Sequence, residues 1–329
     1  MIRTYEVACN LCNSRDSIHL FNAKDRLHGI EGTYTYVQCR ECGLVYMNPQ
    51  VVPEDIKKLY PKNYAPHSAI EKKPDSKIRL TKRIIKRIKR ISIIELILKK
   101  LTNVIIEDSI YSKLSKHSRI LDVGCGTGAF LNSVKSDKGC QVHGVDISES
   151  AVAEAKNSFG LDIFKGNITE LPLPDDYFDI ITSWWYLEHI HNPHTSIKKI
   201  SNLLKADGYC IIGIPNFKSF NAKVFKDKWY HLDCPRHLCI WTPNTIKRLL
   251  EKYGLSTTKI IYDKTPWGLL GSLQYVFFGD NINPKHHNRI IQSIFLRILL
   301  LPWTIIVAFL KRADIMVIYA KKSESTGSK

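Results

Sequence analysis

Acidic residues are scarce in this 329-residue chain: 31 Asp and Glu stand against 48 Lys and Arg, a formal net charge of +17. A surplus of that size points to an anionic partner, whether nucleic acid, a phosphate-bearing substrate or a membrane surface. An apolar leader is missing, since Met1-Ile2-Arg3-Thr4-Tyr5-Glu6 has no hydrophobic run, and no secretory signal is expected. The nine cysteines, an odd number, then read as reduced thiols in a cytosolic protein rather than as a disulfide framework. A continuous run of ~20 apolar residues, the length of a spanning helix, is also lacking. The cleanest stretch, Ile298 to Leu310, has 13 residues and lies within a segment broken by Gln292, Arg297 and Pro302. It reads as interfacial, re-entrant or a buried cap, with Arg289, Arg297, Lys311 and Arg312 at headgroup level. Internal repeats are absent. With 44% hydrophobic residues, the chain can still bury a full α/β core and carry one or two small modules.

What is present is most informative at Ile120-Leu121-Asp122-Val123-Gly124-Cys125-Gly126-Thr127-Gly128. An apolar strand runs into a turn with glycine at every second position and then into a helix from Ala129 to Val134. A side chain in such a turn would keep a ligand off the backbone, and the turn needs angles that other residues resist. The helix start adds free N–H groups and a positive dipole end. A second strand, Gln141 to Asp146, ends in a carboxylate about 20 residues past the turn, well placed to accept two ribose hydroxyls. Helix Glu149 to Phe159 and a short strand Asp162 to Phe164 follow.

The spacing of Asp122, Gly124, Gly126 and Gly128 resembles motif I of the class I S-adenosylmethionine-dependent methyltransferases. The resemblance continues through Tyr177-Phe178-Asp179 opening a fourth strand, the Leu187-Glu188-His189 ending of that strand, and Leu203 to Gly208 before a fifth strand, Tyr209 to Ile214. It covers roughly residues 117–262. It implies a Rossmann-like α/β domain with a mostly parallel seven-stranded sheet and an antiparallel last strand. It further implies S-adenosyl-L-methionine contacts at Asp122, Gly124, Cys125, Gly126, Gly128, Asp146, Ile147 and Trp184. Asn167 would accept from the adenine amine, and Ile168 would pack on the ring.

Two CxxC pairs, Cys9 with Cys12 and Cys39 with Cys42, can give four thiolates to one structural zinc. The 26 residues between them allow a hairpin, and Tyr34 to Gln38 alternates like a strand entering the second knuckle. Cys42-Gly43-Leu44-Val45-Tyr46-Met47-Asn48-Pro49, with Tyr60 and Tyr64, resembles the zinc-binding module of a bacterial methyltransferase subgroup concerned with sugars and surface polysaccharides. The tyrosines equally suit packing against the catalytic domain. Further on, residues 77–100 hold ten Lys and Arg against one acid, Glu95. Apolar residues recur at helical spacing from Leu80 to Ile105, which reads as a basic amphipathic helix for a membrane surface or for the catalytic domain.

Methyl transfer to a hydroxyl needs alignment and a base. His189 is the first candidate, with His191 and His194 nearby; local hydrogen bonding is the alternative for His189. Ubiquinone-pathway O-methyltransferases resemble this chain and use a Glu-x-x-Glu-His cluster for a divalent metal. Glu188 and His189 match its end, but Trp185 replaces the first glutamate. The Asp233 to Leu238 segment resembles the acceptor side of the sugar subgroup. There His237 is a second candidate base, and Arg236 can hold a phosphate or carboxylate, or pin its own loop through Asp233. Trp184, Trp185 and Trp229 are candidate stacking platforms or core residues.

The expected organisation is a zinc-ribbon-like module at 1–65, a basic helical linker at 66–116, the methyltransferase core at 117–262, an apolar helical insertion at 263–314, the last strand at 315–322, and a disordered tail at 323–329. The expected function is a methyltransferase, cytoplasmic and peripheral on the inner membrane face, acting on a sugar or lipid-linked glycan in surface-polysaccharide synthesis. Rival readings are a quinone-type O-methyltransferase, an RNA methyltransferase drawn to a polyanion by its charge, and a non-enzymatic binding protein.

Overall fold

The computed structural model describes residues 2–60, 108–279, 290 and 293–323. The basic amphipathic stretch at 77–105, Tyr64 and the tail at 324–329 lie outside the described residues.

The N-terminal part is all β: β1 (Thr4–Tyr5), β2 (Ser17–Ala23), β3 (Tyr34–Cys39), β4 (Val45–Met47) and β5 (Gln50–Val51), closed by a 3-10 turn over Pro53–Leu59. The expected hairpin into the second knuckle is β2–β3, paired antiparallel from Ser17–Cys39 to Ala23–Tyr34. After α1 (Asp108–Tyr111) comes the alternating part: β6 (Arg119–Val123), α2 (Ala129–Lys138), β7 (Gln141–Asp146), α3 (Glu149–Phe159), β8 (Ile163–Lys165), β9 (Phe178–Trp184), α4 (Pro193–Leu203) and β10 (Leu204–Pro215). The order continues with α5 (Phe220–Phe225), β11 (Cys239–Ile240), α6 (Pro243–Glu251), β12 (Leu255–Tyr262), α7 (Trp267–Phe278), α8 (Ile294–Phe309) and β13 (Ile315–Lys322).

Local chemistry sets these boundaries. The Ser148 side chain caps α3 by accepting from Ala151 N, and Gly160 ends the helix in the left-handed conformation. Asn192 caps α4 ahead of Pro193, whose fixed φ suits the first helical position. The seven strands run β12-β13-β10-β9-β6-β7-β8. Pairings β9–β10, β6–β9, β6–β7 and β7–β8 are parallel, whereas β13 is antiparallel to both neighbours. This is the expected Rossmann-like arrangement. Strand β10 starts earlier than expected, at Leu204, with a register shift before Tyr209, where Asp207 takes a positive φ.

The N-terminal sheet does not close on itself. Its order is β11-β4-β3-β2, so two residues from the far side of the chain, Cys239 and Ile240, complete it beside Val45 and Tyr46. Tyr36, Tyr46, Trp229, Trp241, Ile212 and Leu187 share one continuous core. Arg236 is the polar pin of this junction. Its guanidinium has no exposure and forks onto Asp25 (Nη1–Oδ2 2.8 Å, Nη2–Oδ1 3.0 Å) and onto Asp233 (Nη2–Oδ1 2.7 Å). The expectation that Arg236 meets a phosphate or carboxylate of the acceptor is therefore corrected: two carboxylates of the protein occupy its donors, and the loop-pinning alternative describes it.

Removing a charge from such a cluster leaves the others buried and uncompensated, a loss of ~3–5 kcal/mol. Arg236→Met should lower the urea-unfolding free energy by an amount in that range, and an unchanged midpoint would show that the cluster adds nothing to stability.

Candidate active site

The carboxyl ends of β6, β7 and β9 converge where open parallel sheets bind ligands. Gly124, Gly126 and Gly128 all have positive φ, at 72°, 52° and 73°. A Cβ on Gly124 would stand 3.0 Å from the Tyr186 ring, and one on Gly128 2.9 Å from Leu161 Cδ1. Glycine is thus required for both the turn and the packing around it. Gly128 is also the N-cap of α2, so that helix start opens onto the turn.

Asp146 ends β7 facing this turn. Its Oδ2 accepts from Gly126 N and its Oδ1 from Ser148 N, both at 2.8 Å. Each carboxylate oxygen retains a further acceptor position, so two vicinal hydroxyls can still be bound. Ile147 follows with its side chain exposed, an apolar surface beside the carboxylate. Below the turn, Asp122 is buried and accepts from Thr182 Oγ1 at 2.7 Å. Burial pushes its pKa up to about 7; the Thr182 bond opposes the rise and the Asp146 charge adds to it. At the end of β9, Ser183 Oγ and Trp184 Nε1 are buried without a hydrogen-bond partner among the described residues. The glycine cradle and the paired-hydroxyl acceptor fit an adenosine-bearing cofactor.

Two cofactor expectations need correction. Asn167 Oδ1 accepts from Thr169 N (3.1 Å) and Thr169 Oγ1 (3.2 Å), capping a 3-10 turn over Ile168–Glu170. Its oxygen is committed locally rather than turned to an adenine amine. Ile168 is buried in the main core and offers no open face to a ring. Cys125 is buried on the second core cluster, leaving its backbone as the part that lines the turn.

The two candidate bases lie together, in a cluster of residues far apart in sequence. The His189 and His237 rings meet edge to face with centroids 4.5 Å apart. His189 Nδ1 lies 3.2 Å from Arg236 O and 3.1 Å from Tyr60 Oη. His237 Nδ1 lies 3.0 Å from His231 O. Since a carbonyl only accepts, both Nδ1 atoms carry the proton. Burial, with the neighbouring His189, holds His237 well below the usual imidazole range, so it stays neutral. Glu188 is fully buried behind them; desolvation pushes its pKa up to about 8. His191 and His194 are not at this site: they bond Val51 O and Leu11 O and hold the N-terminal sheet to the core. Of the tryptophans, Trp229 is buried with Nε1 donating to Asp314 Oδ1 at 2.8 Å. Trp185 is 40% exposed, has φ 55°, and stacks on His231 at 5.4 Å.

Asp25 and His231 escaped the sequence reading. Asp25 lies 211 positions from Arg236, and nothing local in its sequence marks it as a partner. Tyr60, which belongs to the motif resembling the zinc-binding module, meets His189.

The cysteines converge as the spacing suggested. Cys9 and Cys42 sulfurs are 3.4 Å apart, as are those of Cys12 and Cys39, and all four lie within 4.8 Å of one another. A tetrahedral ion with ~2.3 Å metal–sulfur bonds requires sulfurs a little under 4 Å apart. Asn13 and Gly43, both at positive φ, close the two knuckles; Asn13 N donates to Cys9 O and Gly43 N to Cys39 O.

The sheet order and the glycine–aspartate cradle define a Rossmann-like nucleoside-binding α/β protein. Residues 91–260, more than half of the chain, match the methyltransferase-domain family, and the chain belongs to it. A ubiquinone biosynthesis O-methyltransferase of Bradyrhizobium diazoefficiens is 29% identical over 154 residues, 45% of this chain and 60% of that protein. One from Coxiella burnetii is 35% identical over 115 residues, 33% of this chain and 48% of that protein. The chain therefore spans at most about 60% of the length of these relatives. A S-adenosylmethionine-dependent methyltransferase structure from Archaeoglobus fulgidus aligns with TM-score 0.46 and 21% identity, over 74% of this chain and all of that one.

Two outcomes follow from the cradle. Asp146→Ala removes the acceptor for two hydroxyls, each bond to a charged group being worth ~1.5–3 kcal/mol. Calorimetry should show S-adenosylmethionine affinity falling at least ~10-fold. Asp122 has a folded pKa above its unfolded value, so its ionisation opposes folding, and stability is lost as pH rises from about 4 through about 7. Asp122→Asn lacks this penalty. Without cofactor, its stability relative to the native protein should improve from pH 4 to pH 8, by up to ~4 kcal/mol; a pH-independent difference would contradict the assignment.

Proposed function

We propose that the protein transfers a methyl group from S-adenosylmethionine to a hydroxyl of a lipid-borne acceptor, a sugar or lipid-linked glycan, at an anionic membrane surface. The observation that carries the acceptor class is the insertion between β12 and β13. Both strands border the catalytic sheet, and β12 runs parallel to β10, so its connection leaves from the ligand-binding edge. Helix α7 packs against the acceptor loop: Ser272 Oγ accepts from Tyr230 N at 2.9 Å, and Gly271 lets the Tyr230 ring approach. The outward surface of α7 and α8 is apolar, with Phe277 74%, Phe295 73% and Phe309 84% exposed beside Leu299 and Leu310. Large apolar side chains exposed in this number on soluble proteins mark surfaces that meet a partner or a membrane. Exposed Lys311 and Arg312 follow directly, as anionic headgroups favour. No helix among the described residues is long and apolar enough to cross a membrane, which accords with lying on the surface.

The chemistry divides among this chain's residues. The cofactor, held by the Gly124–Gly128 turn and Asp146, supplies an activated methyl group. Trp185, exposed at the mouth, stacks a sugar or isoprenoid ring, and His189 takes the hydroxyl proton on Nε2, since Nδ1 is protonated. His237 and Tyr60 hold the His189 ring in place. The four-cysteine cluster holds a structural zinc; with four protein ligands it has no open position for catalysis. A quinone acceptor is the second reading, favoured by the names of the relatives above, and it shares the lipid-soluble substrate.

Flotation with anionic and neutral liposomes, with labelled RNA as competitor, tests the membrane reading. Binding to anionic vesicles should partly survive high salt and should weaken at least ~10-fold in a Phe277→Ser/Phe309→Ser double variant that keeps cofactor affinity. Salt-sensitive RNA binding without flotation would replace the lipid reading with an RNA one. For the cysteines, a strong chelator or Cys39→Ser should release one zinc and lower the melting temperature by several degrees, checked by metal analysis and calorimetry.

A further inference from the structure

We infer that a cavity between the start of α5, the turn after β12 and the second half of α8 binds a primary ammonium group. Two carboxylates, Asp263 and Asp314, and the amide of Asn221 line it, together with the more exposed Phe220, Trp303 and Arg312. Neither carboxylate is ion-paired to a basic side chain among the described residues. Asp314 is buried and meets neutral donors: its Oδ1 accepts from Trp229 Nε1 at 2.8 Å and its Oδ2 from Asn221 Nδ2 at 2.6 Å. Asp263 accepts from Thr265 Oγ1. Asn221 is 7% exposed, yet its Oδ1 has no hydrogen-bond partner. Since Nδ2 is committed to Asp314, the orphaned atom is the carbonyl oxygen, an acceptor that a native interior rarely leaves unused.

Donor count and charge select the ligand. The lining offers two anionic carboxylates, each with acceptor positions to spare, and one free carbonyl oxygen. An ammonium brings three N–H donors and a positive charge, and charge-assisted bonds of this kind are the strong ones. A neutral hydroxyl leaves the buried charge uncompensated. Ca2+ asks for about six to eight oxygen ligands, more than this lining supplies. Size agrees: the cavity, about 10 Å³, holds one water-sized group, as an –NH3+ is and a sugar ring is not. Burial pushes the Asp263 carboxyl up to about 6, with the Asp314 charge adding to the rise and bonds from Thr265 and Lys264 opposing it, so it stays ionised at neutral pH.

The surroundings suit the rest of such a ligand. Phe220 and Trp303 meet edge to face at 5.1 Å and are partly exposed, giving apolar edges for a short methylene stem. Arg312 forms no ion pair with either acid; its Nη1 donates to Lys218 O, and its other donors suit a phosphate. Trp303 belongs to α8, the helix that also exposes Leu299 and Phe309. An ammonium, a short stem and a phosphate beside an apolar face are the chemistry of an aminophospholipid headgroup; a free amino sugar presents the same –NH3+. Asp314 also borders the proposed acceptor mouth. A Cβ on Gly268 would collide with Asp314 Oδ2 and stand 2.9 Å from His231 Cδ2, and His231 stacks on Trp185. A headgroup source rests on the lipid reading above. The ammonium site itself does not, because a soluble amine is titrated without any membrane.

Two measurements on the full-length protein test the site. In the first, ethanolamine is titrated and its binding followed by saturation-transfer NMR, with tetramethylammonium as a cation that lacks N–H donors. Ethanolamine should saturate, and binding should be at least ~10-fold weaker for tetramethylammonium and in Asp263→Asn, with S-adenosylmethionine affinity unchanged as the check on folding. In the second, flotation compares vesicles of equal anionic content whose remaining lipid is phosphatidylethanolamine or phosphatidylcholine. A phosphatidylethanolamine preference that Asp263→Asn abolishes supports the site with a headgroup as its ligand. Saturable ethanolamine binding that glucosamine displaces, without a vesicle preference, supports it with a soluble amine. Absence of any flotation counts against the lipid reading and leaves the ammonium site to the first titration. Ethanolamine that fails to saturate the native protein, or tetramethylammonium that binds equally well, would overturn the site, and neither result depends on a variant that folds.

Discussion

The buried Arg236 fork is the constraint on which the rest of the structure depends. A guanidinium with no exposure must be neutralised on the spot, and here one carboxylate comes from the N-terminal sheet and the other from its own loop. Because the fork is planar and bidentate, it fixes orientation as well as distance. It holds the Asp233–Leu238 loop against the cysteine-bearing part, and the next residues, Cys239 and Ile240, complete that part's sheet. The same loop carries His237, and its carbonyl at Arg236 receives His189. The cluster proposed to meet the acceptor is therefore built on the junction, and the N-terminal part packs into the framework around it.

The cofactor side follows a different physical logic. It needs no long-range pin, because consecutive parallel strands deliver their ends to one edge. The glycine turn, the α2 N-terminus and Asp146 come together through β6–β7 pairing alone. Burial then sets the electrostatics: Asp122, beneath the turn, has its ionised form disfavoured by desolvation and by the Asp146 charge. The two halves of the site meet at β9, which carries Thr182 under the cradle, and at the loop after it, which carries Glu188 and His189.

Much of the fold was legible in the chain. The strand–turn–helix at Asp122 to Ala129, the acid at Asp146 and the alternation of elements through Tyr262 were all visible as local patterns. So was the four-cysteine cluster, since two knuckles of fixed spacing have few other ways to meet. The candidate site was legible only in part. Asn167 serves its own turn and Ile168 the core, because a motif position does not say which neighbour wins a polar atom or an apolar face. Arg236, offered as an acceptor contact, is consumed by Asp25, more than two hundred residues away. Nothing in the sequence announces that pairing.

The sequence by itself determined the class of fold, the cofactor cradle and the grouping of the cysteines, because each rests on short-range geometry: glycine torsions, strand periodicity and ligand spacing. Only the tertiary structure decided which charges are paired, which histidines face one another and which apolar side chains among the described residues are exposed. Those outcomes depend on desolvation and packing between distant segments. Burial decides whether Glu188 is an ordinary surface acid or an unsatisfied interior one, and burial is a property of the assembled chain.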